Sequence, residues 1–477
     1  MRALLAFLLL VAGASGAVPQ KPNVIVFLID DLGYTDLGCY GSSLYETPRL
    51  DALAAAGVRM TDFYSANPVC SPTRASLQTG KAPQRMGLTQ WLNQPNEKHL
   101  PLEEFTVAEA FAEAGYATGY MGKWHLGHEA AHQPEHQGYA WTKGVNLAGA
   151  PASYHFPYQR GQQGGKRPNW HDVPDLEDGE EGDYLTDRLT DHALTFIKDR
   201  AAGERLFFLC YGHYAVHTPI QPPAELHEKY EAKVRELYGE SETPKVTSRY
   251  ESIGRGRQDN AAFAAMVENL DQNIGRVLDQ LDDLGIRDST LVVFTSDNGG
   301  LCTRPMSKGK GKRMGPTSNL PLRDGKGWTY EGGTRIATIF SWPGTLEEAV
   351  VDTPGITMDL YPTLLELAGL PSRPEQHQDG LSLVSALQGE PSAELKERFL
   401  AWTYPHDHGS GHKPSRAIRK GVWKLVHSDR DGVSELYHLG NDLGERNDLS
   451  GMHPEKVALL KKELDDWIEA TTLAESK

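Results

Sequence analysis

Short, uninterrupted apolar runs alternating with helix-period segments dominate the chain. Runs at 24–29, 206–210, 291–295 and 336–341 are predominantly apolar, as strands of a parallel sheet buried on both faces are. The segments between them carry helix signals. Residues 48–56 open on Pro48 after Thr47 and stop at Gly57, and 106–114 stop at Gly115. The longest predicted helix covers about 260–284, where Phe263, Met266, Val267, Leu270, Ile274, Val277, Leu278 and Leu281 form one stripe ending at Gly285. This βαβ rhythm predicts an α/β fold, a central, mostly parallel sheet sandwiched by helices. Stretches 148–182 and 301–327, rich in Gly, Pro and polar residues, interrupt it and read as loops around a site.

After residue 389 the pattern changes. Runs at 417–418, 423–427 and 435–439 predict short antiparallel strands, and 454–470 a closing amphipathic helix. The expected organisation is an α/β unit at 22–393 followed by a smaller α+β subdomain at 394–477. Before both, Arg2 precedes an apolar run at 3–12 and small residues ending Ser15-Gly16-Ala17, the layout of a signal peptide cleaved after Ala17. That run is too short to span roughly 30 Å of hydrocarbon, so the mature chain is expected to be secreted or periplasmic, without a membrane anchor.

Composition narrows the partners. The 477 residues hold 48 Lys plus Arg against 64 Asp plus Glu, a net charge of −16. An acidic chain lacks the basic face that nucleic acid requires. An anionic substrate would need positive charge gathered in one pocket. Four cysteines, Cys39, Cys70, Cys210 and Cys302, are too few for a disulfide scaffold, and no pairing follows from the sequence.

The chemistry sits just past the apolar runs. The first is followed by Asp30-Asp31 and the third by Ser296-Asp297-Asn298. The run at 116–121 leads into Gly122-Lys123-Trp124-His125, and 206–211 leads toward His217-Thr218-Pro219. Carboxyl ends of parallel strands are where such folds bind ligands. An Asp after a strand is by itself more often a turn former; four strand ends converging are another matter. Asp30, Asp31, Asp297 and Asn298 offer only oxygen, the ligand set of a hard cation, Ca²⁺ or alternatively Mg²⁺. In 70–80, Pro72 and Gly80 bracket a helix with Cys70 at its N-terminus, a position that lowers a thiol's pKa and favours anions. Arg74 adds positive charge one turn on.

Cys70-x-Pro72-x-Arg74-x-x-x-x-Thr79-Gly80 resembles the signature of the formylglycine-dependent sulfatases of the alkaline phosphatase superfamily. The likeness extends through 23–33, 122–127, 217–219, 296–300 and 326–335, and implies an alkaline phosphatase-like fold. It implies that a formylglycine-generating or sulfatase-maturating enzyme oxidises Cys70 to Cα-formylglycine (3-oxoalanine), and that residue 70 joins the metal ligands. One hydroxyl of the hydrated aldehyde would attack the sulfur of a sulfate ester. The second would then lose its proton and expel sulfate. By the same resemblance Lys123 and Lys326 clamp sulfate oxygens, Arg74 fixes the hydrate and the metal site, and His125 is the base for elimination. His217 protonates the leaving alcohol, sharing that role with Lys326.

The stretch 404–412, Tyr-Pro-His-Asp-His-Gly-Ser-Gly-His, offers His406, His408 and His412 as contacts to the sugar bearing the sulfate, or else is a plain surface loop. Its resemblance to carbohydrate sulfatases points to galactose-type rings. Trp91, Trp170 and His171 are further candidates, because an aromatic face can stack on a sugar. The reading is a hydrolase of O-sulfate esters on a carbohydrate. A phosphonate or phosphodiester hydrolase shares the Cys-x-Pro-x-Arg element, and a non-catalytic sulfated-glycan binder would keep the cations without a matured residue 70.

Overall fold

In the computed structural model, which describes residues 21–93, 98–159, 170–306 and 314–473, strand Asn23–Ile29 is buried along its whole length. The expected signal segment, 1–17, lies outside the described residues. Because successive side chains of a strand point to opposite faces, Ile25, Phe27 and Ile29 enter one core and Val24, Val26 and Leu28 the other. The first core is closed by helices Leu185–Ala201, Ala224–Tyr238 and Ala261–Asp283. The second is closed by Cys70–Thr79, Val107–Glu113 and Leu360–Leu367. The result is a helix–sheet–helix sandwich.

The sheet has eight strands, in spatial order Ala349–Val351, Val58–Met60, Thr338–Ser341, Thr290–Ser296, Asn23–Ile29, Phe207–Gly212, Ala117–Gly122 and Trp141–Lys143. The last five run parallel to one another. The run at 336–341, expected to be parallel, is instead antiparallel, with Thr338 opposite Thr295 and Ile339 opposite Phe294. A strand buried on both faces is apolar in either direction, so its pattern carries no polarity. Helix ends follow their signals. Thr106 caps Val107–Glu113 through a reciprocal capping box with Glu109, and Gly80 ends Cys70–Thr79 at φ 69°. Among the described residues no helix is long and apolar enough to cross a membrane, and all four cysteines are free.

Toward the C-terminus, Phe399–Tyr404, Ser415–Lys420, Trp423–Ser428 and Ser434–His438 form a sequential antiparallel sheet. The first of these was not anticipated. Helix Pro454–Thr471 covers one face through Leu460 and Leu464. The other face packs Trp402 and Tyr437 against Tyr64 and Trp328 of the larger layer. Beneath it, fully buried Lys424 bridges Glu331 (2.8 Å) and Glu445 (3.1 Å), and Glu331 also holds Arg335 (2.7 Å). Burial opposes ionisation of Glu331, yet Lys424, Arg335 and Arg419 outweigh it and hold that carboxyl low. This cluster crosses the boundary expected at 393/394. Lys424→Met should therefore destabilise the whole chain, by about 3 kcal/mol, because it strands buried carboxylates. An unchanged thermal unfolding midpoint would show that the cluster does not couple the two sheets.

Candidate active site

Five parallel strands bring their carboxyl ends to one edge of the sheet, and the chain leaves that edge through the polar residues singled out above. Backbone bonds lock the exits together. Asp297 N–H donates to Ile29 O (2.9 Å), Asp30 N–H to Ala215 O (3.1 Å), and Lys123 N–H to Gly212 O (2.7 Å). Asp31 and His125 both adopt left-handed backbone, with φ 61° and 60°. Such residues cost about 1–3 kcal/mol each and persist only where the surroundings dictate them.

The buried charges form one network. Lys123 Nζ lies 2.7 Å from Asp30 and 3.9 Å from Asp297. Arg74 holds Asp297 through Nε (2.9 Å) and Nη2 (2.8 Å), and donates from Nη1 to Lys123 O (2.6 Å). Lys326 Nζ is 2.6 Å from Asp31 Oδ1, and Asn298 Nδ2 donates to that same oxygen (2.8 Å). Burial and then the carboxylates of Asp297 and Asp31 push Asp30 up to about 8 against the pull of Lys123. Burial would raise Asp31 as well, but Lys326, His217 and Lys123 hold it well below the usual carboxylate range.

Do these residues fit a hard cation? Asp30 Oδ1, Asp31 Oδ2 and Asn298 Oδ1 are buried oxygens with no hydrogen-bond partner among the described residues. Three orphaned buried oxygen acceptors at one edge of the sheet are what a divalent ion satisfies and a water-free protein interior does not. Asp30, Asp31 and His217 each offer a ligand atom within 4.8 Å of the others. The donor set fits. His217 is an addition to the all-oxygen set expected from the sequence, its Nε2 standing 3.6 Å from Asp31 Oδ2.

The two histidines differ in which nitrogen is free. His125 Nε2 is 2.6 Å from Leu92 O, an atom that only accepts, so Nε2 carries the proton and Nδ1 is unprotonated. That free Nδ1 is 3.3 Å from Cys70 Sγ. Burial and then Lys123 hold His125 well below the ordinary imidazole range, so it stays neutral. Gly149 braces the ring: a Cβ there would strike the imidazole. His217 donates from Nδ1 to Thr218 O (2.7 Å), and burial followed by Lys326 pushes it down to about 3.

Cys70 corrects the sequence reading. Its place at the helix N-terminus led us to expect a lowered pKa, but the thiol is raised: burial outweighs Lys123 and Lys326. The residue is 3% exposed, so the desolvation of a thiolate prevails over the helix dipole.

Cys70, His125, His217 and Lys326 reach a cavity of about 480 Å³ walled also by Trp91, Trp170, His171 and His408. Neither of the other two histidines of the 404–412 strap reaches it. His412 is 2% exposed and packs edge-on against Trp328, because the strap's turn folds it inward. His406 contacts Thr89 (3.0 Å) and lines a neighbouring cleft. Backbone Ser410 N–H donates to His408 Nδ1 (3.2 Å), leaving Nε2 as its protonated nitrogen. Sequence reasoning missed His128 and Arg304, which also line the cavity. Arg304 rides on strand Thr303–Pro305, paired with Ser252–Arg255 inside a stretch expected to be loop. Three residues are too few to show periodicity, so only the charge could have flagged it.

Residues 22–370 match the family model for Sulfatase, and 324–472 match that for N-sulphoglucosamine sulphohydrolase, C-terminal. The chain is 32% identical to the N-acetylgalactosamine-6-sulfatase of Canis lupus familiaris, over 94% of this chain and 85% of that one. It is 34% identical to arylsulfatase A of Homo sapiens, over 95% and 89%. Among solved structures, Ps i-CgsB in complex with k-i-k-neocarrahexaose superposes with a TM-score of 0.77 at 28% identity, covering 94% of this chain and 93% of that one.

Proposed function

The chain belongs to the sulfatase family, a sulfuric ester hydrolase, and from that premise we propose that it removes O-sulfate groups from a saccharide using Cα-formylglycine made from Cys70. The observation that carries the mechanism is the approach of unprotonated His125 Nδ1 to within 3.3 Å of Cys70 Sγ at the cavity floor. A hydroxyl on the oxidised and hydrated residue 70 would occupy the place of that sulfur. There Nδ1 is the acceptor for its proton during sulfate elimination. Asp30, Asp31, Asp297 and Asn298 would hold a Ca²⁺, with Mg²⁺ the alternative, which supplies positive charge against the sulfate oxygens. Lys123 and Lys326 add preorganised charge where it develops. Arg74 orients this set through Asp297, and Lys326 hands a proton to the leaving alcohol; His217, whose single proton sits on the Nδ1 that donates to Thr218 O, would share that role only after Nε2 gains a proton.

Support for a saccharide substrate comes from the cavity wall. Trp91 and Trp170 give apolar faces for a sugar ring, and the His408 N–H gives a donor for a hydroxyl. One relative is named for N-acetylgalactosamine, in keeping with a galactose-type ring, and Ps i-CgsB is solved in complex with a saccharide, k-i-k-neocarrahexaose. Maturation by a formylglycine-generating or sulfatase-maturating enzyme, export through the 1–17 segment to a secreted or periplasmic site, and division at 393/394 complete the proposal. Sulfate release across sulfated galactose, N-acetylgalactosamine and glucosamine saccharides and an aryl sulfate tests it. A kcat/KM at least about tenfold higher on a saccharide is expected. Preference for the aryl ester would overturn the saccharide reading.

A further inference from the structure

The charges on the cavity wall do not match a substrate bearing a single sulfate. Among the described residues, no carboxylate lines the wall, although the chain as a whole carries sixteen more acidic than basic groups. Two full cations line it, Lys326 and Arg304. Lys326 is accounted for by Asp31 and by the sulfate to be cleaved. Arg304 is not. It is partly buried, and beyond its strand pairing its guanidinium has no hydrogen bond or ion pair among the described residues; burial lowers its pKa, with the field of Asp31 opposing. A guanidinium that faces a shared cavity, feels Asp31 only at a distance and has no carboxylate in contact is poorly compensated, and its planar fork suits a carboxylate or sulfate.

The geometry points to Arg304 as the residue that binds a second anionic group on the same substrate, so that the enzyme acts on a polyanionic saccharide, bearing a uronate carboxylate or a further sulfate besides the scissile one. The inference rests on the sulfatase reading of this cavity and names its substrate class. Nothing in the cleavage chemistry requires it, because Arg304 lies on the separate strand Thr303–Pro305 rather than among the strand-end residues. Its position on a cavity large enough for more than one ring is consistent with reading a neighbouring group or sugar.

The test uses the matured full chain and three disaccharides of one backbone: one monosulfated and otherwise neutral, one with a uronate added, one with a second sulfate added. Wild-type enzyme is expected to prefer at least one dianionic substrate over the monosulfated one by tenfold or more in kcat/KM, mainly through KM. Arg304→Gln should reduce that preference ratio at least tenfold, whereas Arg304→Lys retains part of it. The uronate and disulfate arms identify which anion is read. An unchanged ratio in Arg304→Gln, or no dianion preference in the wild type, overturns the inference while sulfate release continues. Failure of the wild type to release sulfate from any of the three overturns the saccharide reading instead.

Discussion

Cys70→Ala is expected to abolish sulfate release, lowering kcat by at least about 10⁴-fold, with the fold intact. The expectation follows from what surrounds the side chain. Cys70 is fully packed at the start of its helix, and alanine fits within its volume, leaving one polar atom, His125 Nδ1, without its sulfur partner. What disappears is the side chain that, among the described residues, hydrogen-bonds the unprotonated Nδ1 of His125. The thiol itself is a poor nucleophile, since burial keeps it protonated. Active enzyme should therefore contain residue 70 as the aldehyde, about 18 Da lighter than the thiol in the mass of the peptide spanning it. Cys70→Ser should slow or trap the reaction, because one oxygen can be sulfated but cannot expel sulfate by itself. Unmodified thiol in fully active protein would remove the proposed nucleophile altogether.

Much of this site was legible because its residues follow strands immediately. Asp30 trails Ile29 and Asp297 trails Ser296, so the apolar runs that mark the strands also mark the positions. Cys70 and Arg74 share a helix whose ends Pro72 and Gly80 announce. The misreadings concern properties that no local pattern encodes. The direction of Thr338–Ser341 is set by its neighbours in the sheet. The thiol of Cys70 answers to burial that arises from tertiary packing, whereas the helix terminus is visible in the sequence. In the 404–412 strap, three histidines share one composition but meet three environments, since the turn at 409–411 sends His408 to the cavity and His412 beneath Trp328. Arg304 had no pattern around it at all.

The alternative of a non-catalytic glycan binder fares poorly against the histidine tautomer. A binder needs cations to hold sulfate, and Lys123, Lys326 and Arg304 would suffice. It has no use for an unprotonated nitrogen aimed at residue 70 from a left-handed backbone position, braced by Gly149. Strain held at one side chain is better explained by chemistry at that side chain.

Removing divalent cations should reduce turnover to background, and Ca²⁺ should restore it. Three buried carboxylates, Asp30, Asp31 and Asp297, face three buried cations, Lys123, Lys326 and Arg74. With Lys123 paired to Asp30 and Lys326 to Asp31, both lysines are engaged by carboxylates rather than available to a sulfate. Those oxygens would hold a divalent cation, whose positive charge would leave Lys123 and Lys326 available to the substrate anion. The orphaned oxygens of Asp30, Asp31 and Asn298 make the same demand from the acceptor side. Binding to the folded chain alone should also stabilise it, by about 2.7 kcal/mol at a hundredfold excess over Kd, read as a rise in the unfolding midpoint. Asn298→Ala, which removes one neutral ligand without stranding a buried charge, should weaken the Ca²⁺-dependent rise and the activity together. Full turnover after exhaustive chelation, with no Ca²⁺-dependent shift in the wild type, would leave the lysines on their carboxylates and force a different account of how sulfate is held.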